Sequence, residues 1–542
     1  MKFAPHFVLR LVSTTLAWLA LSAHAATGSD ALAGFAGDFS SRIAAIEALG
    51  AAGDEDARRV LDALEAGNLG VAGERTVVIV ENGAVRDAAS GETLAGVSAA
   101  AVETITINNR ARRALANARA ALALTSGSPA GRLEAASTLG ESASPALLPL
   151  FERALAQEKD EAVRAALVLA AARVKLSDTD PAVRQQAARD LGAASDAAVR
   201  NLLAGLLAKT GEGAAAVWAE PDAGVREAAA GSLRAIDRRI EFAQAMGTMF
   251  AGLSLGSILL LAALGLAITY GVMGVINMAH GELLMVGAYA TFVVQGIFRN
   301  HFPAWIDAYV VAAIPVAFLA AALVGVAMER LVLRRLYGRP LESLLATWGL
   351  SLVLIQTARV AFGPQNLELA NPGWMSGGIE LAAGVVLPFN RIVIVFFAAF
   401  VLLLIWLMMQ KTRLGMFVRA VTQNRAMAGC VGVPTARVDT LAFAIGAGVA
   451  GLGGVALSQI ANVGPAMGQG YIVDAFMVVV LGGVGQLAGA VWAALGLGIA
   501  SKFLEGWAGA VIAKILVLLF IIVFIQKRPQ GIFALKGRFA DD

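Results

Sequence analysis

The chain is short of charge, cysteine and histidine. Only 15% of its 542 residues are charged, and it has four histidines and one cysteine, Cys430. A soluble domain carries about 25% charged residues, so the balance argues against a cytosolic enzyme and against a disordered chain. A lone cysteine excludes a disulfide framework. Four histidines leave little for a metal site, and neither an H-E-x-x-H pattern nor a G-x-x-x-x-G-K-[ST] phosphate loop occurs. No catalytic or metal-binding residue is therefore assigned, and the chain is expected to hydrolyse no ATP and to hold no cofactor of its own. Any energised function would draw on a partner chain or an ion gradient.

What is abundant is apolar sequence: 58% of residues are hydrophobic and the mean hydropathy is +0.70. The near-neutral net charge of +3 conceals a split. Residues 1–245 hold 25 Lys/Arg against 29 Asp/Glu, leaving 18 against 11 in residues 246–542. No charged residue lies between Glu241 and Glu282. About 20 apolar residues cross a bilayer, so a water-soluble domain over 26–245 is expected to precede a membrane domain over 246–542.

Residues 1–25 read as a secretory signal, with Lys2 and Arg10 before an apolar run from Leu11 to Leu21 and an Ala23-His24-Ala25 cleavage site. An uncleaved membrane anchor is the alternative. The first domain is then exported, and its acidic balance gives no reason to expect nucleic-acid binding.

One phrase recurs in that domain, in which Asp is followed at the third and fourth positions by Val-Arg. It begins at Asp160, Asp180, Asp196 and Asp222. Asp can cap the free N–H groups of a new helix, and Pro181 stands where its missing donor costs nothing. Val163, Val183, Val199 and Val225 would each share a buried face with the Ala or Leu four residues on. Helix pairs would repeat at about 36–42 residues, which resembles HEAT-type repeats. A small β-hairpin is expected from Thr76 to Val85, with Asn82-Gly83 at its turn. The domain is otherwise read as all-α, a docking or spacer module.

Eight apolar runs follow, at about 250–275, 283–298, 308–328, 342–361, 391–409, 440–460, 474–500 and 510–525. The connections at 329–339, 410–437 and 526–538 are rich in Lys and Arg, which places them in the cytoplasm by the positive-inside rule. An outside N-terminus and an inside C-terminus require an odd number of crossings. Gly482, Gly483, Gly485 and Gly489 interrupt the seventh run. A broken helix or re-entrant hairpin there would restore the parity; a glycine-rich packing face is the alternative.

The polar run Asn277, His280 and Glu282 follows the first span directly. It is either an interfacial cap, with His280 bonded to backbone and Glu282 in the first turn of the next helix, or part of a gate or polar path. Other polar groups at plausible depth are Thr269, Tyr270, Gln356, Gln459 and Gln486. Of these, Tyr270, Asn277, His280, Glu282, Gln459 and Gln486 are the candidates for a solute pathway. Few ionisable residues fall within the spans; Glu282, Arg359, Asp474 and Lys514 each read as near an end.

The stretch GLSLGSILLLAALGLAITYGVMGVINMAHGELLMVGAY, from Gly252 to Tyr289, resembles the signature of the LivH-type permeases of branched-chain amino-acid ABC importers. The similarity extends over 250–535. It takes in Thr412–Met416, Arg419–Asn424, Ala428 and Gly432, then Val480–Gly485 and the terminal Arg528–Phe533. An exported helical domain ahead of such a permease resembles the urea-importer branch (UrtB type). The resemblance implies an inner-membrane subunit working with a second permease subunit, two cytoplasmic ATPase subunits and a periplasmic solute-binding protein. It also implies that the 411–434 loop docks on an ATPase through Arg419, Ala420, Gln423, Asn424, Ala428 and Gly432. Urea or short amides are the expected solutes. Branched-chain amino acids, a gradient-driven carrier or channel, and a membrane-anchored scaffold are the alternatives.

Overall fold

A computed structural model describes residues 31–533, apart from 53–54, 74–75, 82, 95–96, 99–100, 126–127, 143, 211–216 and 383. The signal segment expected at 1–25 lies outside the described residues. The chain divides into two compact units with the boundary between Arg239 and Ile240.

The first unit opens with α1 (Phe39–Ala52) and α2 (Glu55–Glu65), which pack with α3 (Asn109–Thr125) around Phe35, Ile46, Leu61 and Leu115. Between α2 and α3 lie β1 (Leu69–Ala72), β2 (Thr76–Glu81), β3 (Ala84–Asp87) and β4 (Glu103–Thr104). The expected hairpin is β2–β3, closed at Glu81↔Ala84 with Gly83 at φ +82°. It is half of a four-stranded antiparallel sheet ordered β3-β2-β1-β4, so the unit is not all-α. The β1–β2 and β1–β4 pairings escaped the sequence because β1 is a four-residue Leu-Gly-Val-Ala segment and β4 has two residues.

The helices α4 (Pro129–Ser142), α5 (Leu148–Gln157), α6 (Glu161–Lys175), α7 (Pro181–Asp190) and α8 (Ala197–Leu206) follow, and then α9 (Ala223–Met273). A two-stranded hairpin, β5 (Lys209–Thr210) with β6 (Val217–Trp218), precedes α9. Each recurring Asp does start a helix. Asp160 accepts from Ala162 and Val163, Asp180 from Ala182, Asp196 from Val199, and Asp222 from Val225. Val163, Val199 and Val225 are buried, whereas Val183 is half-buried. Two of the phrase's arginines reach acids well ahead in the chain. Arg184 grips Glu220 (2.8 Å) and Arg200 binds Asp237 (2.7 Å), partners 36 and 37 residues further on.

Arg132 forks Glu158 at 2.7 and 3.0 Å and, with backbone N–H groups of Asp160 and Lys159, holds that carboxyl down at about 2. A depressed carboxylate stabilises the fold above its ordinary value of 4.5, and that contribution is lost as pH falls towards 2.

The second unit continues with α10 (His280–His301), α11 (Tyr309–Leu331), α12 (Pro340–Phe362) and a hairpin of β7 (Gly378–Ala382) and β8 (Val385–Pro388). Then come α13 (Phe389–Lys411), α14 (Arg413–Gln423), α15 (Arg425–Cys430), α16 (Thr435–Ser458), α17 (Met467–Gly482), α18 (Leu487–Ala508) and α19 (Ala510–Lys527). Among the described residues, eight helices, α9 included, are long and apolar enough to cross a membrane. The expected seventh run is two helices, α17 and α18, joined by Gly483–Gln486. Gly483 (φ +98°) and Gly485 (φ +76°) supply the left-handed backbone of that break. Gly531 abuts Gly483, and Ile532 N–H donates to Leu481 O (2.9 Å), so the terminal motif closes over the break.

Helix α16 is the packing centre. A Cβ at Gly446 would collide with Gly265 of α9, one at Gly451 with Ala317 and Ala321 of α11, and one at Gly454 with Leu284 of α10. Such contact is how helices associate in lipid, where apolar burial alone drives nothing.

Replacing Asp160 with Ala should cost about 1 kcal/mol, roughly a fivefold acceleration of amide exchange at the start of α6 by mass spectrometry. In Glu158→Gln, exchange in α6 corrected for intrinsic rates should lose the wild type's rise between pH 4.5 and about 2.

Candidate functional site

Helix α9 ends at Met273 with Gly274 in the left-handed region (φ +65°), its N–H on Tyr270 O. The next residues are non-helical and turn back alongside α9. His280 Nε2 lies 3.0 Å from Ala262 O, and Ala262 is eleven residues (273 − 262) before the end of α9. At 1.5 Å per residue the chain has therefore come back about 16 Å alongside α9. Helix α12 gives a second ruler. Ser351 donates to Glu282 Oε1 at 2.7 Å, and Ser351 is eleven residues (351 − 340) into α12, again about 16 Å. The run 274–279 is a return segment, and α10 starts at mid-depth. His280 is bonded to backbone and Glu282 occupies the first turn of α10, as an interfacial cap would require. Glu282, the third residue of α10, lies near the start of that span as expected, yet it stands beside the middle of α12, and His280 beside the apolar half of α9.

Non-helical backbone at such depth persists only where protein satisfies it. Thr347 Oγ1 accepts the Met278 N–H (3.1 Å), and Asn277 Oδ1 accepts the Ala279 N–H (3.0 Å). Ser343, Thr347 and Ser351 are buried and spaced four residues apart, one polar stripe on α12 facing the return segment. Asn277, His280 and Glu282 are each no more than 1% exposed, yet Asn277 Nδ2, His280 Nδ1 and Glu282 Oε2 have no hydrogen-bond partner. No Lys or Arg pairs with Glu282 among the described residues.

The other pathway candidates are dispersed. Tyr270 is half-buried and meets Phe476 edge-on, with ring centres 6.4 Å apart. Thr269 is bonded to Gly265 and Leu266 of its own helix, and Gln356 is exposed beside Leu352 and Val360. Gln459, at the end of α16, belongs to a separate cluster. Its Oε1 is 3.2 Å from Tyr309 Oη, which also lies 2.9 Å from Ala370 O, while Asn390 Nδ2 donates to Gln459 O.

Gln486 lies in a cavity of about 580 Å³. The lining joins Ala267, Ile268, Gly271 and Val272 of α9, Trp406 and Gln410 of α13, Arg419 and Gln423 of α14, and the break at Gly485–Ala488. One pathway candidate thus shares a space with two of the loop residues. Ala420 is half-buried and Ala428 buried on the inner side of α14–α15, and Gly432 (φ +88°) ends α15. Asn424 does not offer its oxygen outwards: Oδ1 caps α15 by accepting the Met427 N–H at 2.9 Å.

Sequence reasoning missed Ser343, Thr347 and Ser351, whose i, i+4, i+8 spacing on an apolar helix was a visible signal. It also missed Asp439, buried in the second turn of α16 and bound by Arg425.

A family model described as the branched-chain amino acid transport system permease component matches residues 248–525. The chain belongs to that family. It is 30% identical over 300 residues to the high-affinity branched-chain amino acid transport system permease protein LivH of Salmonella typhimurium, an alignment covering 54% of this chain and 96% of that protein. The BraD permease of the corresponding system in Pseudomonas aeruginosa is 30% identical over 287 residues, covering 52% and 93%. The ribose import permease protein RbsC of Escherichia coli K12 is 28% identical over 168 residues, half of its length. The family match holds the return segment, the α12 stripe, α14–α15 and the broken α17–α18 pair; the first unit precedes it.

Thr347→Val keeps the shape of the side chain but strands the Met278 N–H. It should destabilise the fold by about 1–3 kcal/mol, read as a lowered unfolding midpoint in detergent. Thr357→Val, exposed on the same helix, should stay within about 0.5 kcal/mol.

Proposed function

We propose that this chain is a permease subunit of an ATP-driven ABC importer that carries urea or short amides across the bacterial inner membrane. A second permease subunit would complete the path, two cytoplasmic ATPase subunits would drive it, and a periplasmic protein would deliver the solute. The basic connections at 329–339, 410–437 and 526–538 support an orientation with the C-terminus in the cytoplasm and the first unit outside. Residues 1–25 would export that unit, 26–245 would form a HEAT-like docking or spacer module, and 246–542 the permease. The 411–434 loop would dock on an ATPase.

The observation that carries this reading is the return segment. Discontinuous backbone at mid-depth is where membrane transporters handle solute. Its unpartnered atoms comprise an amide donor on Asn277, a carboxyl acceptor on Glu282 and an imidazole nitrogen on His280. Urea offers the complement, with N–H donors for Glu282 and a carbonyl for Asn277. The carboxylate of an amino acid would lie against Glu282 with no cation beside it. Branched-chain amino acids remain the second reading, favoured by the names of the relatives.

In proteoliposomes holding all the proposed subunits, labelled urea should accumulate on addition of ATP and labelled leucine should not; the reverse result overturns the solute assignment. Glu282→Leu removes the acceptor for solute N–H groups and should lower urea uptake about tenfold or more.

A further inference from the structure

Arg425 opens α15 and does not behave as a surface cation. Its guanidinium forks the carboxylate of Asp439, with Nη1 3.1 Å from Oδ1 and Nη2 on Oδ2. The same Nη1 donates to Tyr337 Oη at 2.7 Å, and the guanidinium carbon stands 4.2 Å from the centre of the Tyr337 ring. Burial, and then the Asp439 charge, push the Tyr337 phenol well above its ordinary value, so it stays a hydrogen-bond donor and acceptor beside the pair. Asp439 is 2% exposed.

The next residue of α16 is held as well. Thr440 Oγ1 donates to Glu329 Oε2 (2.8 Å), and Arg334 binds both Glu329 Oε1 (3.2 Å) and Thr440 Oγ1 (2.9 Å). The start of α16 is thus clamped by two arginines, one from each of two basic connections. Seven residues after Asp439 on α16 is Gly446, which packs so closely on Gly265 that a Cβ on Gly265 would meet both the Gly446 carbonyl and the His280 ring. The outer side of α14–α15 exposes Met416, Met427 and Val431 among basic residues, an apolar patch suited to a protein partner.

We infer that the Arg425–Asp439 fork is the element that makes α14–α15 and α16 move together. Displacement of the loop is delivered through it to α16, and from α16 to the return segment that carries Asn277, His280 and Glu282. This rests on the reading of 411–434 as the ATPase-docking loop. Val418, Val421 and Ala428 also hold the loop against the core, but apolar contacts slide, whereas a two-pronged ion pair fixes one register. Lysine is a point charge and cannot form that fork. Arg425 and Asp439 are accordingly positioning residues, acting on solute only through α16.

The test separates coupling from assembly. Cys430, the only cysteine, is exposed on α15 and takes an environment-sensitive thiol label without further mutation. In the reconstituted importer, Arg425→Lys and Asp439→Asn should leave ATP hydrolysis within about twofold and the ATP response of the Cys430 label intact, while solute moved per ATP falls about tenfold or more. An unchanged ratio of transport to hydrolysis in a variant that assembles overturns the inference, whether both rates are normal or both fall together. Should Asp439→Asn fail to insert, Arg425→Lys, which keeps the charge, decides alone. Wild-type complex that moves no solute with ATP overturns the importer reading instead, and this inference with it.

Discussion

Helix α16 has no side chain at Gly446, Gly451 or Gly454, and the other helices of the second unit are arranged around those gaps. In water, such contacts could be replaced by burying larger apolar groups. In lipid, leucine gains nothing by leaving the hydrocarbon, so close approach and polar contact must do the holding. Three helices, α9, α10 and α11, therefore touch α16 backbone against side chain or backbone. Because there is no flexible side chain to absorb a shift, α16 cannot move without displacing the helices against it. A rigid centre of this kind transmits displacement, which a softly packed bundle would dissipate.

The return segment depends on that centre. A non-helical stretch at mid-depth needs a wall on each side and a partner for each free N–H. α9 provides the Ala262 carbonyl, α12 provides Thr347 and Ser351, and α16 packs through Gly446 on α9 and through Gly454 on α10. The glycines that let the helices meet also bring α10 close enough for its first turn to be buried. Packing and polar chemistry are two consequences of the same small residues.

Much of this was legible in the sequence, and what was not had a common cause. The aspartate caps were readable because a cap is local: its donor and acceptor lie two or three residues apart. The break between α17 and α18 was readable because Gly483 and Gly485 adopt a backbone that few other residues accept. The depth of Asn277–Glu282 was not, because an apolar run followed by polar residues reads equally as a span and its exit. Whether the chain leaves or turns back is decided by Ala262 and Ser351, 18 and 69 residues away in opposite directions. Asp439 was missed for a related reason. It stands just before an apolar run that seemed to begin at 440, so it counted as loop until its partner, fourteen residues earlier, buried it. Strands β1 and β4 are too short to announce themselves without the neighbour they pair with.

The two units also handle charge in different ways. In the first, ion pairs such as Arg184–Glu220 and Arg200–Asp237 join residues 36 and 37 positions apart. In the second, three acids are almost wholly buried: Glu282, Glu329 and Asp439. Arg334 neutralises Glu329 and Arg425 neutralises Asp439, and both pairs lie where basic connections meet the membrane domain. A buried carboxylate without such a partner is a cost the fold has no structural reason to carry. Glu282 is met by the Ser351 hydroxyl and no cation, with one oxygen unpartnered among the described residues. A structural role for Glu282 would call for a cation like those its two counterparts have. The proposed transport role calls for the opposite, an acceptor held in place and left open to the hydrogen-bond donors of a passing solute.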